Sequence, residues 1–297
     1  MKKMLLIVNP YAGVRKITRC LTDVIGIFNR AGYEVVTHIT AGRDDATQQA
    51  LQWADKVDMV VCAGGDGTYN ETVTGVLRSG HDTCVGYIPC GSTNDLAASL
   101  NLSTNILTAS REIVEGVPTP FDVGQFGDRY FSYIASFGAF TKASYNTSQD
   151  MKNTLGHTAY LLEGIQELSQ IRKVHARIET ENKVIEDDFI FGAICNSTSL
   201  GGVFKLSPKQ VDMQDGKFEL FLVRAPRDLL EIQECIVAVQ KQTYNCAMVT
   251  FVSASDIRVT IDPSEAWTLD GEWEKGRNEV QIQCLHHAVR VAKRGKK

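Results

Sequence analysis

Three short segments carry residue types suited to holding a phosphate chain together with a cation. They are Asn9-Pro10-Tyr11-Ala12-Gly13, Gly64-Gly65-Asp66-Gly67-Thr68-Tyr69-Asn70-Glu71 and Pro89-Cys90-Gly91-Ser92-Thr93-Asn94-Asp95-Leu96-Ala97. In the second, glycines lack Cβ atoms, so peptide N–H groups can approach phosphate oxygens. The helix expected after it turns its positive end toward the same point. Asp66 inside such a loop would repel phosphate unless a cation lay between them, so it implies Mg2+. Thr68 and Asn70 can hydrogen-bond phosphate or ribose without adding charge. A lone glycine-rich turn usually does no more than join a strand to a helix. Gly65-x-Gly67 begins like a dinucleotide fingerprint, but Asn70 stands where the third glycine belongs, and there is no GxxxxGK[ST] loop. The three segments in this order are more specific than any one of them.

The elements that must position them alternate. Residues 4–8 are continuously apolar, as in a strand buried on both faces. Residues 17–31 place Ile17, Cys20, Leu21, Val24, Ile25, Phe28 and Ala31 on one helical face. Strands are expected over 33–39, 59–62 and 84–88, with helices starting near Asp44-Asp45 and over 69–78. Each of the three segments then falls at the carboxyl end of a parallel strand, the edge where open α/β sheets bind ligands. The pattern changes near Pro118 and Pro120. Strands are expected at 121–126, 129–137, 173–180, 188–196, 217–224, 249–253, 256–262 and 278–284, with helices at 156–171 and 226–241. Gly127-Asp128 is a hairpin signal, and Asn182-Lys183 and Asp215-Gly216 read as turns. The fold class is therefore α/β in two domains: a doubly wound N-terminal domain and a C-terminal β-rich sandwich.

Composition narrows the class. The chain has 297 residues, 43% hydrophobic and 22% charged, with net charge −4, which suits a packed core and gives no reason to expect nucleic-acid binding. No apolar run is long enough to span a membrane, and the short run after Met1-Lys2-Lys3 ends at Asn9-Pro10, as in a first strand rather than a signal peptide. The eight cysteines form no CxxC pair, so reduced thiols in a cytoplasmic protein are expected. The six histidines form no HExxH pattern, and His286-His287 reads as an accident of strand ends. The basic run Arg290, Lys293, Arg294, Lys296 and Lys297 reads first as a solvated tail and second as a contact for an anionic bilayer.

Gly64 to Glu71 together with Gly91-Ser92-Thr93-Asn94-Asp95 resembles the catalytic domain of diacylglycerol and sphingosine kinases, whose wider superfamily includes NAD kinases and phosphofructokinases. The likeness continues through Phe121-Asp122-Val123-Gly124, through Asn196 to Gly202, and into Leu269-Asp270-Gly271-Glu272. It extends over nearly the whole chain and is nearest to soluble bacterial diacylglycerol kinases. It implies a nucleotide-binding domain of residues 1–125 plus 287–297 and a lipid-substrate domain of residues 126–286. It also implies that Asn9, Pro10, Tyr11, Ala12, Gly13, Thr40, Gly64, Gly65, Asp66, Gly67, Thr68, Tyr69, Asn70 and Thr93 hold ATP. Asp66, Asp95 and Asp122 would form a water-linked network around catalytic Mg2+, and Glu272 would be the general base on the lipid hydroxyl. A structural Mg2+ would take the Asp215 side chain and backbone oxygens of Asp212 and Lys217. Val203 departs from the third glycine of many relatives, and the Pro208-to-Asp215 spacing is one residue long.

The resemblance thus implies an ATP- and Mg2+-dependent kinase making phosphatidic acid at a membrane surface, cytoplasmic, transiently membrane-associated and compatible with a homodimer. A kinase for another lipid, a sphingoid base or NAD is the first alternative. A nucleotide-binding regulator without catalysis is the second, and Glu272 speaks against it, because a mere binder needs no base. Phe131, Phe137, Phe140 and Phe204 are candidates for the walls of an apolar cleft, with ordinary core as the commoner fate of such residues.

Overall fold

A computed structural model describes residues 1–13, 16–139, 172–200, 204–207, 210–242, 244 and 246–295. The expected helix at 156–171, Phe140, Gly201 to Val203, Pro208, Lys296 and Lys297 lie outside the described residues, as does the Phe204 side chain. The chain divides into two compact units, Met1–Val123 with Leu285–Lys297, and Gly124–Cys284.

The first unit runs β1 (Lys2–Val8), α1 (Lys16–Arg30), β2 (Tyr33–Ile39), α2 (Asp45–Trp53), β3 (Met59–Gly64), α3 (Asp66–Ser79), β4 (Cys84–Pro89), α4 (Asp95–Ser99), α5 (Ile106–Glu115) and the start of β5 (Val117–Phe126). Its strands are parallel in the order β4-β3-β1-β2, with Met4 beside Met59 and Tyr33 opposite Lys2. From β1 the chain passes to β2 on one side and later to β3 on the other, so the topological switch point lies between β1 and β3. β1, β3 and β4 are apolar without alternation because helices cover both sheet faces. On one face Ile17, Val24, Ile27 and Phe28 of α1 and Ile106, Ala109 and Ile113 of α5 join Met4, Leu6, Val61 and Ile88 in one core.

One helix boundary and one whole helix depart from the sequence expectation. α3 begins at Asp66 rather than residue 69, because Gly65 is extended and serves as its N-cap. Asp66 is therefore a first-turn helix residue, where the helix dipole favours a carboxylate. α5 was not anticipated, although Asn105 accepts from the Thr108 N–H at 3.0 Å as its N-cap. At α2 neither end carboxylate acts as a simple cap. Asp44 makes no side-chain cap, and Glu71 of α3 instead accepts from the N–H groups of Asp44 (2.9 Å) and Ala46 (3.3 Å).

The second unit holds β6 (Arg129–Phe131), β7 (Ile134–Gly138), β8 (Val174–Thr180), β9 (Val184–Cys195), β10 (Ser199–Leu200), β11 (Phe204–Lys205), β12 (Phe218–Arg224), α6 (Leu229–Lys241), β13 (Val249–Ala254), β14 (Asp256–Ile261), β15 (Trp267–Leu269), β16 (Glu272–Glu274) and the first part of β17 (Glu279–Lys293). Its main antiparallel order is β16-β15-β7-β9-β8-β14-β17, and β12 joins β9 to β13. The expected strand at 129–137 is two strands, interrupted at Ser132-Tyr133. Gly127 has φ +58 in the turn between β5 and β6, which pair at Phe126 and Arg129. Phe131 and Phe137 are fully buried in this unit's core, Phe137 against Trp267 with centroids 5.0 Å apart, so neither is a cleft wall.

β17 continues well beyond the expected end at residue 284, and Val291 pairs in parallel with Val85 of β4. Two readings are thereby corrected. His286 and His287 lie within a strand, not at its end. Arg290 and Lys293 are strand residues rather than a solvated tail: Arg290 Nε donates to Asp82 at 2.7 Å, and Lys293 Nζ sits 5.4 Å from the Phe121 ring centroid. All eight cysteines are free, and burial pushes the Cys62 thiol far up and those of Cys84 and Cys90 to about 11 and about 12. Among the described residues no helix is long and apolar enough to cross a membrane.

Candidate active site

The three glycine-bearing segments meet at the carboxyl ends of β1, β3 and β4. Backbone hydrogen bonds join them: Asn9 N–H donates to Ala63 O at 2.9 Å and Cys90 N–H to Gly64 O at 2.7 Å. Asn9 Nδ2 also donates to Thr68 Oγ1 at 3.0 Å. Absence of Cβ is what lets the turns close. A Cβ at Gly91 would lie 2.7 Å from Gly65 Cα, and one at Gly13, where φ is +54, would lie 2.5 Å from Cys90 O. These are contacts real Cβ atoms do not make, so the glycines are required by backbone approach across three separate loops. Thr40 N–H donates to Val8 O at 2.9 Å, which brings the end of β2 beside the first loop.

Asp66, in the first turn of α3, ties the second segment to the third. Its carboxylate accepts from Asp95 N–H at 3.0 Å, Leu96 N–H at 3.4 Å and Tyr87 Oη–H at 3.2 Å. Burial, followed by the charge of Asp95, raises its carboxyl above the ordinary value, against the lowering effect of those donors. Two carboxylates held together in a half-desolvated turn have the chemistry of a hard-cation site. Asn94, with φ +53, fixes the turn: its Oδ1 accepts from Gly91 N–H at 2.8 Å and its Nδ2 donates to Gly91 O at 2.9 Å. Left-handed backbone is tolerated by asparagine better than by most residues.

Not every expected nucleotide residue faces solvent. Tyr11 is 69% exposed and Thr93 is exposed, whereas Thr68, Tyr69 and Asn70 are buried in α3, Tyr69 packing on Tyr87 with centroids 4.8 Å apart. Pro10 and Gly67 are partly exposed and Ala12 is buried. Asp122 is buried, and its Oδ1 accepts from His287 N–H at 2.7 Å and pairs with His286 Nδ1 at 3.1 Å. Sequence reasoning missed Tyr87, since a tyrosine inside an apolar strand carries no signal, and it discarded the two histidines.

In the second unit, Glu272 opens β16 directly after a two-residue hairpin turn in which Asp270 (φ 48) and Gly271 (φ 80) are both left-handed. Asp270 is buried and accepts from the N–H groups of Ser132 (2.5 Å), Tyr133 (2.9 Å) and Ile134 (3.0 Å). That is the reason the strand breaks at Ser132-Tyr133, and it fixes the turn that carries Glu272. Glu272 is half-buried, on the same strand face as Glu274, which binds Arg129 at 2.8 Å. The Asp215-Gly216 turn forms as expected, with Gly216 at φ 76 and Lys217 N–H donating to Asp215 Oδ1 at 3.0 Å. Gln214 N–H donates to Asp212 Oδ1 at 3.1 Å. Two residues on from Lys217, Glu219 is buried, its Oε2 has no hydrogen-bond partner among the described residues, and desolvation followed by the charge of Asp215 pushes its carboxyl up to about 8.

Residues 3–126 match the diacylglycerol kinase catalytic domain, and residues 134–293 match the YegS C-terminal NAD kinase beta sandwich-like domain. A diacylglycerol kinase of Bacillus subtilis (strain 168) is 32% identical over 92% of this chain and 90% of its own length. A diacylglycerol kinase of Staphylococcus saprophyticus is 31% identical over 95% of both chains. A crystal structure from Bacillus anthracis str. Sterne superposes with a TM-score of 0.80 at 25% identity, covering 98% of this chain and 97% of that one.

Proposed function

Because the chain belongs to the diacylglycerol kinase family, we propose that it transfers the γ-phosphoryl group of ATP to the hydroxyl of diacylglycerol, giving phosphatidic acid and ADP. The observation that carries this reading is the convergence of the three glycine turns around Asp66 and Asp95. Asn9 to Gly13, Thr40, Gly64 to Asn70 and Thr93 build the ATP site in this proposal, the buried Ala12, Thr68, Tyr69 and Asn70 by shaping its loops rather than by facing solvent. Asp66, Asp95 and Asp122 would form the water-linked network around Mg2+, and the cation would supply neutralisation of charge on the transferring phosphoryl group.

In the proposed reaction the lipid oxygen bonds to the γ-phosphorus as the bond to the β-phosphate bridging oxygen breaks. The hydroxyl proton passes to Glu272, a step worth roughly 10²–10⁴ in rate for a positioned base. A second Mg2+ in the other unit would use Asp215 with backbone oxygens of Asp212 and Lys217. The uncompensated acidity felt by Glu219 is what such a cation would relieve. The enzyme works in the cytoplasm and touches a bilayer only transiently. Leu229 and Leu230 of α6, 80% and 76% exposed, offer apolar side chains for that contact.

The test supplies purified protein with Mg2+, ATP labelled on the γ-phosphate, and diacylglycerol, ceramide, sphingosine, phosphatidylglycerol and NAD in parallel, with Asp66→Asn as the blank. Label is expected in phosphatidic acid. Label appearing only in NADP would replace the lipid reading with a NAD kinase, and no label in any acceptor would favour a binding regulator.

A further inference from the structure

His286 and His287 are consecutive residues of β17, and in a regular strand their side chains would point to opposite faces. They do not. His287 has φ +52, a left-handed conformation that strains a non-glycine residue. The break in alternation brings the two imidazoles to the same side, stacked with centroids 3.7 Å apart and planes at 26°. Beneath them lies the fully buried carboxylate of Asp122, 3.1 Å from His286 Nδ1. One ring nitrogen from each histidine and one carboxylate oxygen lie within 4.8 Å of one another.

We propose that Asp122, His286 and His287 form a binding site for a borderline divalent transition-metal ion of the Zn2+ or Co2+ class. The donor set decides the class. Two imidazoles and one carboxylate suit Zn2+, Co2+ or Ni2+, whereas Mg2+ and Ca2+ take oxygen ligands. Three protein ligands leave a coordination position for water. The His286 side chain is 52% exposed, so an ion can reach the site from solvent. When the ion takes Nδ1 of a neutral His286 ring, the ring proton sits on Nε2, so the change at that residue is one of tautomer. An ion held there would also engage the carboxylate assigned above to the Mg2+ network, but the site itself stands without the kinase reading.

Cobalt titration of the full chain, read by visible absorption and with Zn2+ as competitor, tests it. One Co2+ per chain is expected, with d–d bands, without a sulfur-to-cobalt charge-transfer band, and displaced by Zn2+. His286→Gln should weaken binding at least ~10-fold, on the order of the loss when a metal site is degraded. His287→Gly should do the same while folding at least as well, since glycine accepts the left-handed backbone. Unchanged cobalt affinity and spectrum in both variants, or a thiolate spectrum in the wild type, would overturn the proposal. Because the readout is a spectrum rather than turnover, an inactive kinase would not imitate failure of the site.

Discussion

Glu219 shows how far a single buried atom can govern behaviour. Its Oε2 is buried without a partner among the described residues, and burial, followed by the charge of Asp215, pushes the carboxyl up to about 8 from the ordinary 4.5. Between those values the folded chain keeps a proton that the unfolded chain has lost. In metal-free protein its contribution to stability is therefore complete below about pH 4.5, declines as pH rises, and is gone above about pH 8. Glu219→Gln, which cannot ionise, should remove that decline. With chelator present, its melting temperature should match wild type to within a few degrees near about pH 5 and exceed it near about pH 8.5, by roughly 1–3 kcal/mol of stability. Parallel melting curves for the two proteins across that range would show that Glu219 is hydrated. Nothing in the sequence marked this residue: one acidic position inside Phe218–Arg224 reads as the solvent face of a strand. Asp66 was legible because its neighbours are glycines. The partners that hold it, Tyr87 Oη and the N–H groups of Asp95 and Leu96, come from residues 21 to 30 positions away and only the fold assembles them.

At the level of elements, the strand–helix alternation of the first unit was readable because buried parallel strands such as Met59–Gly64 are unbroken apolar runs. Where helices begin was less so. α3 starts at Asp66 because Gly65 is extended, a backbone choice that a run of glycines leaves open. α5 escaped notice although its cap is a simple asparagine. In the second unit, the break between β6 and β7 is imposed by Asp270, some 140 positions downstream, and no local pattern could announce it. The glycine packing of the site makes a sharp prediction at this scale. Gly91→Ala would force its loop away from Gly65, at a cost of about 1–3 kcal/mol by analogy with overpacking. It should lower the melting temperature and raise the KM for ATP. Gly42→Ala, where a Cβ meets nothing within 4 Å, should change neither. If both variants melt and bind alike, the loops are not held by that contact.

For the molecule as a whole, the telling feature is β17. Its first residues pair with β14 in the second unit, while residues from 285 onward belong to the first, where Val291 lies beside Val85 and the Lys293 backbone closes against Gly116. The Arg290–Asp82 pair is exposed and adds little to that attachment, so strand pairing and burial of Val291 and Ala292 carry it. Ending the chain after Cys284 should therefore leave amide protection in β9, β12 and β14 near its full-length value and sharply reduce it in β4 and α5 by hydrogen exchange. Retained protection in β4 would mean that the first unit closes without residues 285–293.

A growing polypeptide emerges from the ribosome in order, and the parallel sheet of the first unit cannot acquire its edge partner until the whole second unit has been synthesised. Its β4 margin stays open through that interval, with unpaired backbone groups available to neighbouring nascent chains. Conditions that slow translation beyond residue 124 should therefore promote aggregation more than the finished protein's own stability would suggest.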